Sequence, residues 1–456
     1  LKKLIFSLLL LLPLAVSALF PVEGTVKDLS LKRVYLMSIY GERTVVIDSV
    51  TSDSAGRFRF VFPDSRLPGM YRVMWSKEGH VDVIWNREAV SFSTTQANPA
   101  DSLLIISSLE NRLYLFYSRI DRLNQARLEL LLPVVDFYPV KDAFYTGAAR
   151  ELEAIQRSQE ATLDSIDKAH PGSYAVRIFK VYRTPFIPAN MNQDVRGLYL
   201  KQHYLDRVDF NDTALLRSMA YANKAISYLS LYSNNRMPQK QLEAEFIRAV
   251  TALLSAASVN PQVFKFLLDY LVGGFDKYHF DEVITYMADN FQDPFACEDQ
   301  ARKSALQKKL ETFKKIALGK VAPPLEMPDV RGKMVNLESS PSEYTLLVFW
   351  STECSHCTDM MPRLKALYDN QKPRRWEVMA IALDTSRTEW NAYVKEEKLN
   401  WINLSDLKGF SGKAADDYNI YATPTMFLLD RDRKIIAKPI SYRELEQDLR
   451  NNKLIR

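Results

Sequence analysis

The chain has 456 residues, and its 60 basic and 55 acidic side chains leave a formal charge of only +5. That near balance gives no ground for nucleic-acid binding, which needs basic residues gathered on one surface. A composition of 47% hydrophobic and 25% charged residues excludes a disordered chain, and the length calls for several domains.

Lys2-Lys3 precede an almost unbroken apolar run from Leu4 to Ala15, followed by the small residues Val16-Ser17-Ala18. The run is shorter than the ~20 apolar residues that cross a bilayer. Residues 1–18 therefore read as a cleaved secretory signal peptide, and the protein as exported to the periplasm. It would stay at the membrane only if that signal were not cut. No cysteine follows the run to carry a lipid anchor.

Residues 20–98 read as a small antiparallel β domain of sandwich type. The segments 34–40 and 43–50 are rich in β-branched and aromatic residues, and Arg57-Phe58-Arg59-Phe60 alternates at period two. Pro68-Gly69 introduces a further strand, and Val81 to Trp85 gives another. No ionisable constellation appears here, so a structural or partner-docking role is expected.

Residues 99–318 change to helical periodicity. Leu242, Phe246, Val250 and Leu253 make one apolar helix face. Asn260-Pro261 opens a new helix, which Gly273-Gly274 is expected to stop, and Phe295 to Ile316 forms another amphipathic stretch. Tyr145, Phe179, Tyr182, Tyr199, Tyr204 and Phe210 are expected in the core of this helical domain more than in a groove. His170, His203 and His279 stand singly without metal-ligand spacing. Cys297 is expected to be a buried thiol.

From Lys320-Val321-Ala322-Pro323-Pro324 onward strands and helices alternate, the signature of an α/β sheet. Tyr344 to Trp350 is a near-continuous apolar strand, 357–368 a helix, 377–383 a second strand, and 389–397 a second helix. Strands follow at 401–404, 425–429 and 434–437. Ser441 and Glu444 form a capping box that opens the last helix.

The cysteine usage carries the chemistry. Only Cys297, Cys354 and Cys357 occur, and two of them form Cys354-Ser355-His356-Cys357. Thiol–disulfide exchange needs a thiolate that attacks and a second thiol that resolves the mixed disulfide. Two cysteines three apart at a helix start supply both, because the first free amides favour a thiolate there. Cys354 is expected to be the nucleophile and Cys357 the resolving thiol. Zinc would need two further soft ligands, and no metal is expected.

The run Phe349-Trp350-Ser351-Thr352-Glu353-Cys354-Ser355-His356-Cys357, with Pro362 after it and Ala422-Thr423-Pro424-Thr425 about seventy residues on, resembles the thioredoxin superfamily active site. The segment from Gly319 to Leu337 is similar to the lead-in of TlpA/ResA-like envelope oxidoreductases, so the resemblance covers about residues 319–452. The order of β domain, helical region and thioredoxin-like domain is also similar to envelope proteins of Bacteroidetes. The resemblance implies a cis peptide at Thr423-Pro424, with Thr423 contacting the substrate backbone and Trp350, His356 and Pro424 supporting the site. His356 would stabilise the Cys354 thiolate. Two positions depart from the family pattern: Val348 stands where thioredoxins keep a buried acid, and Met360 where ResA-like proteins keep a glutamate. No base is therefore assigned to Cys357, and the direction of electron flow stays open.

The expected function is a periplasmic thiol–disulfide oxidoreductase acting on protein dithiols or disulfides. It would be recharged by an upstream thiol–disulfide donor and need no cofactor beyond its own cysteines. The alternative is an envelope binding or scaffold protein whose thioredoxin-like domain serves as a redox-idle docking module.

Overall fold

The computed structural model describes residues 20–455 except 64, 235, 279 and 292–304. The expected signal peptide, Cys297 and His279 lie outside the described residues. Two compact units divide the chain: one runs to Pro238 and takes in Arg248–Leu267, and the other comprises Gln239–Ile247 and Leu268–Arg456.

In the first unit lie β1 (Phe20–Lys27), β2 (Arg33–Tyr40), β3 (Arg43–Thr51), β4 (Arg57–Phe62), β5 (Gly69–Met74), β6 (His80–Trp85), β7 (Val90–Thr95) and β8 (Leu104–Ser107). They form two four-stranded sheets, ordered β4-β1-β7-β8 and β3-β2-β5-β6. Period two is the cause. In β4, Phe58, Phe60 and Phe62 point inward while Arg57, Arg59 and Val61 face water. Their inner faces share one core with Val22, Val73, Val83, Trp85 and Phe92. The domain is not wholly antiparallel as expected: β1 and β7 run parallel from Val22 opposite Val90 to Lys27 opposite Thr95. The chain visits the other sheet between them, which supplies the long crossover that parallel neighbours need. Past residue 98, β8 continues the sheet by pairing antiparallel with β7.

The helices that follow are α1 (Leu109–Phe137), α2 (Ala143–Ala169), α3 (Tyr174–Tyr182), α4 (Gln193–His203), α5 (Ala220–Ser230), α6 (Gln239–Ala257), α7 (Pro261–Lys277), α8 (Asp281–Asn290) and α9 (Ala305–Lys315). Buried polar contacts tie α1 to its surroundings. The Asn111 side chain accepts from the Ile84 amide at 2.8 Å and donates to the Ile84 carbonyl at 2.7 Å. Glu110 accepts from the Tyr174 and Ala175 amides, both at 2.9 Å, and from Ser173 Oγ at 2.7 Å. A carboxylate at the start of α3 satisfies free amides and complements the helix dipole. Phe179 and Phe210 are buried, the first against Tyr114 and Tyr117, the second stacked on Tyr221. Gly273-Gly274 does not end α7 as expected, since the helix runs on to Lys277. Each glycine costs ~1 kcal/mol in a helix, and burial of Val272 and Phe275 offsets that cost.

In the second unit, β9 (Glu326–Pro328) and β10 (Met334–Asn336) form a hairpin. Strands β11 (Tyr344–Trp350), β12 (Trp376–Ala382), β13 (Ile402–Leu404), β14 (Thr425–Leu429) and β15 (Ile435–Ala437) make one sheet ordered β13-β12-β11-β14-β15. Neighbours are parallel among β11, β12 and β13 and antiparallel at β14 and β15. Helices α10 (Ser355–Asp369), α11 (Arg387–Glu396), α12 (Lys413–Asp417) and α13 (Tyr442–Asn451) complete it. The apolar run of β11 is explained by burial on both faces. Leu346, Val348 and Trp350 enter one core, and Leu347 and Phe349 enter the other. Of the expected capping box at α13 the first half forms, Ser441 Oγ accepting from the Glu444 amide at 3.2 Å, while Glu444 accepts from the Ile440 amide at 3.0 Å, one residue before the cap. Among the described residues no helix is long and apolar enough to cross a membrane.

Candidate functional site

Strand β11 ends at Trp350, and a short turn over 351–354 delivers the chain to α10 at the carboxyl edge of the sheet. Cys354 is the N-cap of α10, with extended backbone, and its Sγ accepts from the Cys357 amide at 3.2 Å. The sulfur thus sits where the helix's unpaired amides converge, a place that favours an anion. Cys357 lies one turn in, wholly buried, while Cys354 stays half-buried at the surface. The two are joined as a disulfide with Cα atoms 5.2 Å apart.

The second wall comes from the chain entering β14. Phe349 pairs with Thr425, which carries the preceding loop alongside the redox turn. The Thr423–Pro424 bond is cis, and the Thr423 carbonyl oxygen lies 3.2 Å from Cys354 Sγ. The fold therefore brings Cys354, Cys357, Thr423 and Pro424 together. Trp350 stands beneath them in the core that holds Cys357, its ring 5.2 Å from that of Tyr393. His356 is exposed on the first turn of α10 and makes no hydrogen bond or ion pair among the described residues. Val348 and Met360 are buried in the same core and bring no carboxylate to Cys357.

The residue that sequence reasoning missed is Asp384. The Leu383 amide donates to the Trp350 carbonyl at 2.7 Å, extending the pairing of β12 with β11 and setting Asp384 beside the turn. Asp384 is only 5% exposed. Its Oδ1 accepts from the Thr352 amide at 3.0 Å, from Ser351 Oγ at 3.3 Å, and from Thr352 Oγ1. Ser351 Oγ accepts in turn from the Glu353 amide at 3.2 Å. Asp384 Oδ2 is buried and has no hydrogen-bond partner among the described residues. The available signal was an acid placed directly after the buried run Ala380-Ile381-Ala382-Leu383.

Beside the cis-proline loop is a cleft lined by Asp276, Tyr421, Pro424, Thr425, Lys438 and Ile440. The Tyr421 hydroxyl donates to the Asp276 carbonyl at 3.0 Å, and Lys438 pairs with Asp281 at 2.7 Å. Burial and the nearby Asp276 push the Tyr421 hydroxyl well above the usual tyrosine range. Among the described residues no group of three or more His, Cys, Asp or Glu is placed to hold a metal ion.

A helix-capping cysteine pair facing a cis-proline loop on a mixed five-stranded sheet defines a thioredoxin-like domain. Residues 318–438 match the model of the AhpC/TSA family, and residues 149–283 match a domain of unknown function (DUF5106). A thiol-disulfide oxidoreductase ResA of Bacillus cereus is 32% identical over 133 residues, which is 29% of this chain and 75% of that protein. Among solved structures, a thiol-disulfide oxidoreductase from Bacteroides fragilis NCTC 9343 is 29% identical, covering 29% of this chain and 99% of that one at a TM-score of 0.28. A thioredoxin-like protein from Bacteroides caccae ATCC 43185 is 23% identical, covering 59% of this chain and 98% of that one at a TM-score of 0.43. The chain belongs to the ResA family of thiol-disulfide oxidoreductases and is an oxidoreductase of that class.

Proposed function

We propose that this protein is a periplasmic thiol–disulfide oxidoreductase that exchanges disulfides with partner proteins through Cys354 and Cys357. The observation that carries the reading is the placement of Cys354 Sγ, at the N-terminus of α10 and 3.2 Å from the Thr423 carbonyl. A partner chain lying along residue 423 has its own sulfur brought to Cys354, the member of the pair that reaches solvent.

In the reducing direction the Cys354 thiolate attacks a partner disulfide. A bond forms between the two sulfurs, the partner's S–S bond breaks, and the partner's leaving sulfur takes up a proton. The Cys357 thiolate then attacks Cys354 Sγ, closing the Cys354–Cys357 disulfide and releasing the second partner thiol. Two electrons have passed to the partner, and an upstream dithiol donor restores the pair. Thr423 and Pro424 shape the edge that receives the partner backbone, and Trp350 closes the floor. Residues 1–18 direct export, and residues 319–456 carry the chemistry.

The test is trapping. Cys357→Ala removes the resolving thiol, so mixed disulfides with partner proteins accumulate on Cys354 and vanish on reduction. Cys354→Ala accumulates none. Equal trapping by both variants, or by neither, overturns the reading.

A further inference from the structure

We infer that Asp384 is the positioning residue of the redox turn, its buried carboxylate holding Ser351-Thr352 in place while its charge biases the Cys354–Cys357 couple toward giving up electrons. The inference rests on the dithiol exchange proposed above and adds to it the residue that sets its direction.

The geometry supports both halves. Three donors from Ser351 and Thr352 converge on Oδ1, and Ser351 passes the restraint on to the Glu353 amide, the last before the nucleophile. The Cys354 amide itself donates to the Ser351 carbonyl at 3.2 Å. Fixing Ser351 and Thr352 therefore fixes the approach to Cys354. Oδ2 takes no part in this. A turn that needed only hydrogen-bond acceptance would be served by a neutral side chain, yet a second carboxylate oxygen stands buried with no partner among the described residues.

The other ionisable groups around the turn are Glu353, His356 and Asp359 on its own segment, all exposed, and Tyr393, whose hydroxyl is 3.5 Å from the Thr358 carbonyl. Water screens the exposed three, whereas a buried charge is screened much less. Asp384 outweighs them on that ground. A fixed negative charge near the nucleophile disfavours the Cys354 thiolate and leaves the disulfide untouched. The reduced form is thereby less stable, and the couple is a stronger electron donor.

The experiment equilibrates the full chain with glutathione and reads the dithiol fraction, alongside the pH profile of Cys354 alkylation. Asp384→Asn keeps an acceptor for the same donors and removes the charge. It is expected to move the equilibrium about tenfold toward the dithiol, roughly 30 mV for a two-electron couple, and to lower the pH at which Cys354 alkylates. Thr352→Val withdraws one donor and leaves the charge, so it is expected to move the equilibrium the other way or not at all. This second variant decides the matter if Asp384→Asn does not fold: a shift of Thr352→Val toward the dithiol means the turn is merely held together, and overturns the inference. So does an unmoved equilibrium in a folded Asp384→Asn protein. Absence of any reversible couple in the unsubstituted chain overturns the proposed function itself, which is a different result.

Discussion

Lys224 holds its ammonium in a place almost without water, 2% exposed. Its Nζ donates to the Arg183 carbonyl at 2.8 Å and lies 3.8 Å from the centre of the Tyr204 ring. Burial depresses its pKa to about 7. In the unfolded chain a lysine keeps its proton to about pH 10.4. Between pH 7 and that value the unfolded state binds more protons, so stability rises with pH, and the whole cost of the buried charge is present below 7. Lys224→Met, which cannot titrate, is therefore expected to gain on the unsubstituted protein at pH 6 and to lose that gain by pH 10. Urea denaturation of both at several pH values measures it, and a difference that does not vary with pH refutes it.

At the scale of elements, Glu110 works across a long stretch of chain, because it closes the start of α3 from the first turn of α1. Glu110→Ala leaves two buried amides, Ser173 Oγ and the Asn86 side chain without their acceptor. The expected loss is about 3 kcal/mol, read as a lower urea midpoint. Glu110→Gln, which still accepts but lacks the charge, is expected to lose less. A loss below ~1 kcal/mol for the alanine variant would mean that water replaces the carboxylate. Such long-range caps also mark the limit of what the sequence discloses. The strand at Tyr344–Trp350 was legible because burial on both faces writes itself as an unbroken apolar run, and the Ser441 cap because the amide it accepts from is three residues on. Glu110 and Asp384 were not legible, since each serves a backbone far away in sequence and looks like any other acid. Gly273-Gly274 misled for a related reason: local propensity favoured a stop, and packing of Val272 and Phe275 overrode it. The Cys354/Cys357 pair was readable from its spacing and Thr423-Pro424 only through the family resemblance, whereas the parallel pairing of β1 with β7 is a property of topology with no local trace.

At the scale of the molecule, the compact unit that carries the cysteines begins well before residue 319. Ile316 packs in the same core as Leu347 and Phe349, and Asp276 and Asp281 hold Tyr421 and Lys438 from α7 and α8. A fragment starting at 319 loses all three contacts, and one starting at 268 keeps them. The shorter fragment is expected to melt lower by about 8 °C or more, given ~2 kcal/mol for the isoleucine and ~1 kcal/mol for each polar contact. Equal melting temperatures would show that residues 268–318 add nothing to this unit.

The unequal burial of the two sulfurs has a consequence for traffic through the site. In the proposed exchange an incoming thiolate from a reductant would meet the half-buried Cys354 before the buried Cys357, so covalent complexes would hang from the same atom and the same sulfur would depart. On that proposal the order of events would be built into the molecule: a partner would be held only while the inner thiol waits, and the moment of release would be decided inside the protein, out of the partner's reach.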